Sequence, residues 1–204
     1  MLRIALLASV SLSLFFAPRP ARAASAMEDS LAAEGQGKLA DALGALDRAA
    51  AGFKDGYVGQ LRRGWLCYQL GRNDDAVRAY QRAVTLAPRA VEPKLGLLLP
   101  LLGERRFTEA QRIARQVLKL DPASYLATLR LAYAAYGLGQ LQDALTHYQK
   151  VVVLYPSDTE ARAGLGWTLL KLGRKAEAKA AFEGVLEASP AHASARAGLA
   201  ELAR

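Results

Sequence analysis

The feature that most constrains this chain is a spacing of 34 residues that recurs along most of its length. Prolines, alanines and a third apolar position, which is large in four of its five copies, all keep this spacing in one frame. The recurring residues are Pro88, Pro122, Pro156 and Pro190; Ala42, Ala76, Ala110, Ala144 and Ala178; and Leu46, Tyr80, Ala114, Tyr148 and Phe182. A unit of this length buries its apolar face only against neighbouring units. The chain is therefore predicted to form a stack of repeats instead of one globular core.

Each repeat has the pattern of two helices joined by a turn. In the copy that contains Ala144, Tyr148 and Val151, these residues lie at i, i+4 and i+7, on one helical face. A glycine near the middle of the unit suits the left-handed residue that ends a first helix, and the proline ends the second. The glycines are Gly37, Gly71, Gly139 and Gly173, with Arg105 in the equivalent place of the third copy.

These motifs resemble the tetratricopeptide repeat. Two copies carry the resemblance most fully: Leu131, Ala132, Gly139, Ala144, Tyr148, Val151 and Pro156, and then Leu165, Gly166, Gly173, Ala178, Phe182 and Pro190. The resemblance covers about residues 24–204 and implies an all-α fold, an α-solenoid of stacked helix-turn-helix repeats in a right-handed superhelix. The implied units are about 23–56, 57–90, 91–124, 125–158 and 159–192, with a C-terminal capping helix at 193–204.

Residues 1–23 have the pattern of a signal peptide. Arg3 precedes an apolar run at 4–17, and a small-x-small cleavage motif, Ala-Arg-Ala, ends at Ala23. The run is shorter than the roughly 20 apolar residues that cross a membrane. This favours an exported, periplasmic protein of a bacterial envelope. The alternative is a protein anchored in the inner membrane by an uncleaved segment.

The composition argues against reactive chemistry. A single cysteine, Cys67, and two histidines, His147 and His192, allow neither an intrachain disulfide nor a Cys/His metal cluster. The zinc-protease, nucleophile-elbow and phosphate-loop motifs are also absent from the sequence. We predict that Cys67 is buried and that both histidines are solvated. The sequence therefore predicts no enzyme, no catalytic residue, no metal, no cofactor and no small-molecule substrate.

The charge pattern disfavours nucleic acid as a partner. The formal net charge is +8, and it falls to +5 without residues 1–23, which hold three arginines and no acid. The remaining Lys and Arg residues are scattered along the chain, whereas a nucleic-acid surface needs a basic cluster or stripe. A protein partner fits this distribution better.

The family resemblance implies a binding surface on the concave side of the superhelix. In the family, positions 2, 5, 9 and 12 of the first helix line that side, counted from the first residue of each unit. Their spacing places them on one face of the helix. Position 9, usually polar in the family, is apolar or aromatic here. Positions 9 and 12 hold Trp65, Leu99, Tyr133 and Trp167, and then Tyr68, Leu102, Tyr136 and Leu170. We predict that these eight residues form a partner-binding groove.

Two arginines belong to the same prediction. Arg62 and Arg130 stand at position 6 of their units, where they either donate charge-assisted hydrogen bonds to a partner or are merely solvated. The Lys and Asn of the carboxylate clamp found in chaperone-binding relatives are replaced by apolar residues, which disfavours a chaperone-tail adaptor. We predict a non-enzymatic scaffold that binds an apolar or aromatic peptide or helix of another envelope protein. The alternative is a self-associating structural scaffold, a homo-oligomer in the periplasm.

Overall fold

A computed structural model describes residues 21–204 of the chain, and these residues form helices without any strand. The helices are α1 (Ala21–Gly35), α2 (Leu39–Asp47), α3 (Ala51–Lys54), α4 (Tyr57–Gln69), α5 (Asn73–Leu86), α6 (Glu92–Gly103), α7 (Phe107–Leu120), α8 (Tyr125–Gly137), α9 (Leu141–Leu154), α10 (Thr159–Lys171), α11 (Lys175–Ala188) and α12 (Ala193–Leu202). The apolar run of the predicted signal peptide lies outside the described residues. None of the helices between residues 21 and 204 has the length and apolar character needed to cross a lipid bilayer.

The helices are arranged as a solenoid of hairpins. The five hairpins, in order, are α1 with α2, α4 with α5, α6 with α7, α8 with α9 and α10 with α11. The first helices α4, α6, α8 and α10 also contact one another in succession. The buried apolar side chains form three clusters that follow one another along the stack. The predicted all-α solenoid of helical repeats is confirmed.

Left-handed residues end the first helix of each hairpin. The φ angles of Gly71, Gly139 and Gly173 are 71°, 73° and 76°. In the third hairpin Arg105 takes the same conformation with a φ of 56°. A side chain at such a φ costs roughly 1–2 kcal/mol. The repeat geometry therefore imposes the turn even where the sequence lacks its glycine.

The periodic prolines belong to a turn that leads into the next helix. Pro122, for example, follows Asp121 in such a turn. The backbone N–H of Ser124 donates a hydrogen bond to the Asp121 carbonyl at 3.1 Å and closes this turn. The side chain of Ser124 in turn accepts a hydrogen bond from the backbone N–H of Ala127 and caps α8. Asp158 and His192, 34 and 68 residues further on, cap α10 and α12 in the same way. The proline turn thus sets both the end of one hairpin and the start of the next.

Aromatic residues of the second helices fill the space between successive first helices. A Cβ atom added to Gly64 or Gly96 would lie 2.8 or 2.3 Å from the Tyr80 ring, so only glycine allows both helices this approach. Phe182 packs in the same way between Gly166 and Gly198. The recurring aromatic position is therefore a packing position beneath the first helices.

Two predictions about single residues have different outcomes. Cys67 is 1% exposed, as predicted, and burial raises the pKa of its thiol. The prediction that His192 is solvated is wrong: its Nδ1 accepts a hydrogen bond from the backbone N–H of Ala195 at 3.2 Å, which places the ring at the start of α12. His147 is also half-buried, and burial lowers its pKa.

Candidate functional site

A groove runs along the first helices, where the sequence pattern predicted one. It consists of three adjoining cavities of about 390, 220 and 130 Å³. Arg130 lines both the first and the second cavity, and Tyr133 lines both the second and the third. The cavities therefore form one continuous surface from α4 to α10.

The first of these cavities has mostly apolar walls. Trp65 is 36% exposed, and its Nε1 donates a hydrogen bond to Oε1 of Glu34 at 2.7 Å. Leu99 lies across the cavity on α6. Val58 and Leu126, 48% and 39% exposed, also line this cavity, as do the charged residues Arg62, Glu92 and Arg130. An exposed wall of this kind suits an apolar side chain of a ligand.

Aromatic residues dominate the rest of the groove. Tyr133 is 46% exposed, and its ring meets the Phe107 ring edge-on at 5.9 Å. Trp167 is half-buried because its ring packs edge-on against Phe182 and its Nε1 donates to Oγ of Ser194 at 2.8 Å. Their rings are held in place before any ligand binds, so little side-chain entropy would be lost on binding.

The predicted residues at position 12 divide into two groups. Leu102 lines the second cavity and Tyr136 the third. The Lys171 ammonium lies 4.7 Å from the Tyr136 ring centre. Tyr68 and Leu170 pack against the hydrophobic core and line none of the three cavities. The stripe predicted from the sequence therefore includes residues that do not line the groove.

Arg62 requires a correction. The sequence suggested that it either contacts a partner or is solvated, but its side chain is 8% exposed and its Nη1 lies 2.5 Å from Oε2 of Glu34. Nε and Nη2 donate to the hydroxyl and carbonyl oxygens of Ser30 at 3.2 and 3.0 Å. Arg62 holds α1 against α4, because charge-assisted bonds inside the protein already use its donors.

Arg130, at the equivalent position, remains without an acidic partner. Its Nη1 donates to the backbone carbonyl of Leu95 at 2.6 Å, and no carboxylate of the described residues pairs with it. Burial lowers the pKa of the guanidinium. A charge in this setting favours an anionic ligand group.

Sequence reasoning missed three exposed apolar residues of the first helices, two of which line the groove. Val58 and Leu126 stand at position 2 of their units, on the same helical stripe as the residues that were read from it. Leu31, 47% exposed, stands at position 9 of the first unit and extends the apolar series onto α1. Applying the 34-residue register to every unit would have found all three.

Potential metal ligands are few in the described groove, where Glu92 and Glu160 are the carboxylate side chains among the cavity linings. Between residues 21 and 204, no three His, Cys, Asp or Glu side chains are grouped as a metal site would require. Glu160 lines the second and third cavities, and its carboxylate lies 3.3 Å from Nε2 of His192. The bond is poorly aligned, since Nε2 has no hydrogen-bond partner of good geometry.

Comparisons with known proteins agree on the fold. Models described as tetratricopeptide repeat match residues 27–91 and 99–159, and residues 135–202. No curated protein matches the sequence. The chain is similar in structure to MamA from Desulfovibrio magneticus RS-1, with a TM-score of 0.78 and 22% identity over 85% of this chain and 98% of that one.

Two further solved structures are similar. A tetratricopeptide repeat protein from Parabacteroides merdae ATCC 43184 has a TM-score of 0.78 and 20% identity, over 91% of this chain and 72% of that one. YrrB, described as a tetratricopeptide repeat protein with an unusual peptide-binding site, has a TM-score of 0.61 and 24% identity, over 73% of this chain and 77% of that one. At these identities the likeness establishes the fold.

Proposed function

Because the chain belongs to the tetratricopeptide repeat family, whose members bind peptides or other proteins, we propose that it is a non-enzymatic scaffold whose groove holds a segment of a partner protein. The segment is apolar or aromatic, in an extended or helical form. The observation that carries the proposal is the row of large side chains, from Trp65 through Leu99 to Tyr133, along a continuous open groove.

The energetics of the row support a binding surface. Trp65 and Tyr133 are both exposed, and a ligand that covers them removes apolar area from water at about 25 cal/mol per Å². Their rings are already fixed by contacts with Glu34 and Phe107. Aromatic anchors of this kind supply much of the binding energy in protein interfaces.

A photo-crosslinking experiment in the native cell tests this function. A photoreactive amino acid at Leu99 should give a defined adduct with one partner protein, and a Trp65→Ala/Tyr133→Ala double variant should lose that adduct. Leu138→Ala is the control, since Leu138 is an exposed apolar residue that lines none of the three cavities. Capture that survives the groove variant with an intact fold would contradict the proposal.

The cell envelope is the proposed location. The signal-peptide pattern of residues 1–23 supports export, and mass spectrometry of the native N-terminus tests it. A chain that begins at Ala24 in a periplasmic fraction supports cleavage. A chain that begins at Met1 in the membrane fraction supports the anchored alternative.

Self-association is a second candidate, favoured by an apolar row outside the groove. Leu86, Leu120 and Leu154 end successive second helices at the 34-residue spacing and are all exposed. The adjacent Val153 is 79% exposed. Pairing of this row between copies predicts a concentration-dependent oligomer in sedimentation, which Val153→Glu/Leu154→Glu would dissociate. A monomer at all concentrations would exclude this candidate.

A further inference from the structure

Two arginines at the same repeat position have different surroundings. Arg62 and Arg130 are 68 residues apart, which is two repeats. Arg62 meets Ser30 and Glu34 of the preceding first helix. Two repeats further on, these two places are taken by Leu98 and Leu102, which offer no side-chain acceptor. The protein therefore supplies a carboxylate to the first arginine and an apolar side chain to the second.

The donors of Arg130 are left accessible. Only Nη1 has a hydrogen-bond acceptor within the described residues, the Leu95 carbonyl, and none of the other guanidinium nitrogens is sealed inside the protein. One acidic residue lines each of the two cavities beside Arg130, and neither pairs with it: Glu92 of the first accepts a hydrogen bond from the Tyr57 hydroxyl, and Glu160 of the second contacts His192. Arg130, which retains these unpaired N–H groups, thus lines the groove where its first two cavities meet.

The walls beside Arg130 are mostly apolar or aromatic, and each of the two cavities also holds one glutamate, Glu92 or Glu160. Leu99 and Leu126 line the cavity toward α4, and Leu102 and Leu129 line the one toward α10. An unpaired charge beside apolar walls is poorly solvated, and a carboxylate with two oxygens would pair with its planar fork of donors. Since the groove continues in both directions, a bound chain passes Arg130 and does not end there.

We propose that Arg130 binds the side-chain carboxylate of a Glu or Asp inside the partner segment, with apolar residues of that segment in the cavities on either side. This inference rests on the proposed function and specifies the chemistry of its ligand. The ligand carboxylate takes the place that Glu34 fills at Arg62. The groove would accordingly select partner segments in which an acidic residue stands between apolar residues.

Paired peptide libraries test the inference on the full chain. Both libraries consist of peptides with blocked ends and randomised apolar and aromatic residues, and they differ only in a central Glu or Gln. The Glu peptides should bind at least about tenfold more tightly, the size expected of charge-assisted hydrogen bonds. Arg130→Met should remove this difference while the apolar contacts continue to give weaker binding.

A second pair of variants keeps the test decisive if Arg130→Met fails to fold. Leu102→Glu places a carboxylate where Glu34 stands relative to Arg62, so it should occupy Arg130 and weaken the Glu peptides about tenfold. Leu102→Gln is the uncharged control of the same shape and should change the preference for Glu little. Circular dichroism and thermal unfolding confirm the fold of each variant.

Each remaining outcome overturns the inference in a distinguishable way. Equal binding of Glu and Gln peptides would refute it and leave the proposed groove function intact. Binding of Gln peptides only when their C-terminal carboxylate is free would show that a chain end is recognised. Failure of all peptides to bind, together with loss of crosslinking at Leu99, would refute both the inference and the proposed function.

Discussion

The indole Nε1 of Trp65 donates a hydrogen bond to the Glu34 carboxylate at 2.7 Å. The other oxygen of that carboxylate lies 2.5 Å from Nη1 of Arg62. One acidic residue of α1 thereby orients an aromatic side chain of the groove and attaches α1 to α4. The groove and the stability of the first hairpin are consequently linked through Glu34.

The link predicts a loss of stability in acid. The Trp65 hydrogen bond, followed by the bonds and charge of Arg62, holds the pKa of Glu34 below its ordinary value of 4.5. A carboxyl with a lowered folded-state pKa stabilises the protein above its unfolded pKa and loses that contribution as the pH falls through the folded value. Urea unfolding should show this loss below about pH 4.5, and Glu34→Gln should remove the part due to this residue. An unchanged pH profile in Glu34→Gln would contradict the assignment.

Replacing Arg105 with glycine should stabilise the third hairpin. The left-handed φ of 56° strains a residue with a side chain, whereas glycine adopts it freely. Glycine also gives the unfolded chain more conformational entropy, which offsets part of the relieved strain. We therefore expect Arg105→Gly to raise the free energy of unfolding by about 0.5–1 kcal/mol. Chemical denaturation measures the change. The reciprocal Gly139→Arg, at a φ of 73°, should destabilise, and a gain there would refute the argument.

Gly96 is predicted to be intolerant of a methyl group. Its added Cβ would lie 2.3 Å from the Tyr80 ring, so Gly96→Ala should separate α6 from α5 and cost about 1–3 kcal/mol. Gly103→Ala is the matched control in the same helix, because its Cβ would lie 3.8 Å from the nearest atom, the Asn73 amide nitrogen. Thermal unfolding compares the two variants. Equal changes in stability for the two variants would show that the effect comes from helix propensity and not from packing against the Tyr80 ring.

The Cys67 thiol should be inert in the folded protein. It is 1% exposed and burial raises its pKa, so both access and the thiolate fraction are low. A thiol reagent such as Ellman's should react slowly in buffer and rapidly in denaturant. Rapid labelling of the folded chain would instead reveal local opening of α4.

Much of the fold was predictable from the sequence because the repeat is a local pattern. The 34-residue spacing of prolines, glycines and alanines predicted the helical hairpins, and Arg105 was recognised as standing in a glycine position. The prediction for His192 failed, because its capping role depends on the turn that precedes α12. The hydrogen-bond partner of a residue in such a turn depends on the conformation of the backbone, which the sequence pattern did not show.

The groove was only partly predictable. The register placed Trp65, Leu99 and Tyr133 on one stripe, because side chains four residues apart share a helical face. It could not separate Arg62 from Arg130, which occupy the same position of the repeat. Their difference depends on which side chains the preceding first helix presents to each guanidinium.

The sequence by itself determined that the chain is an all-α solenoid, since that fold follows from spacings along the chain. Only the tertiary structure decided which side chains of the stripe remain accessible, because contacts between helices cover some of them and leave others open. It paired Arg62 with Glu34 and left Arg130 in an apolar groove with its donors accessible. Repetition makes positions equivalent in sequence, and neighbouring side chains make them chemically different.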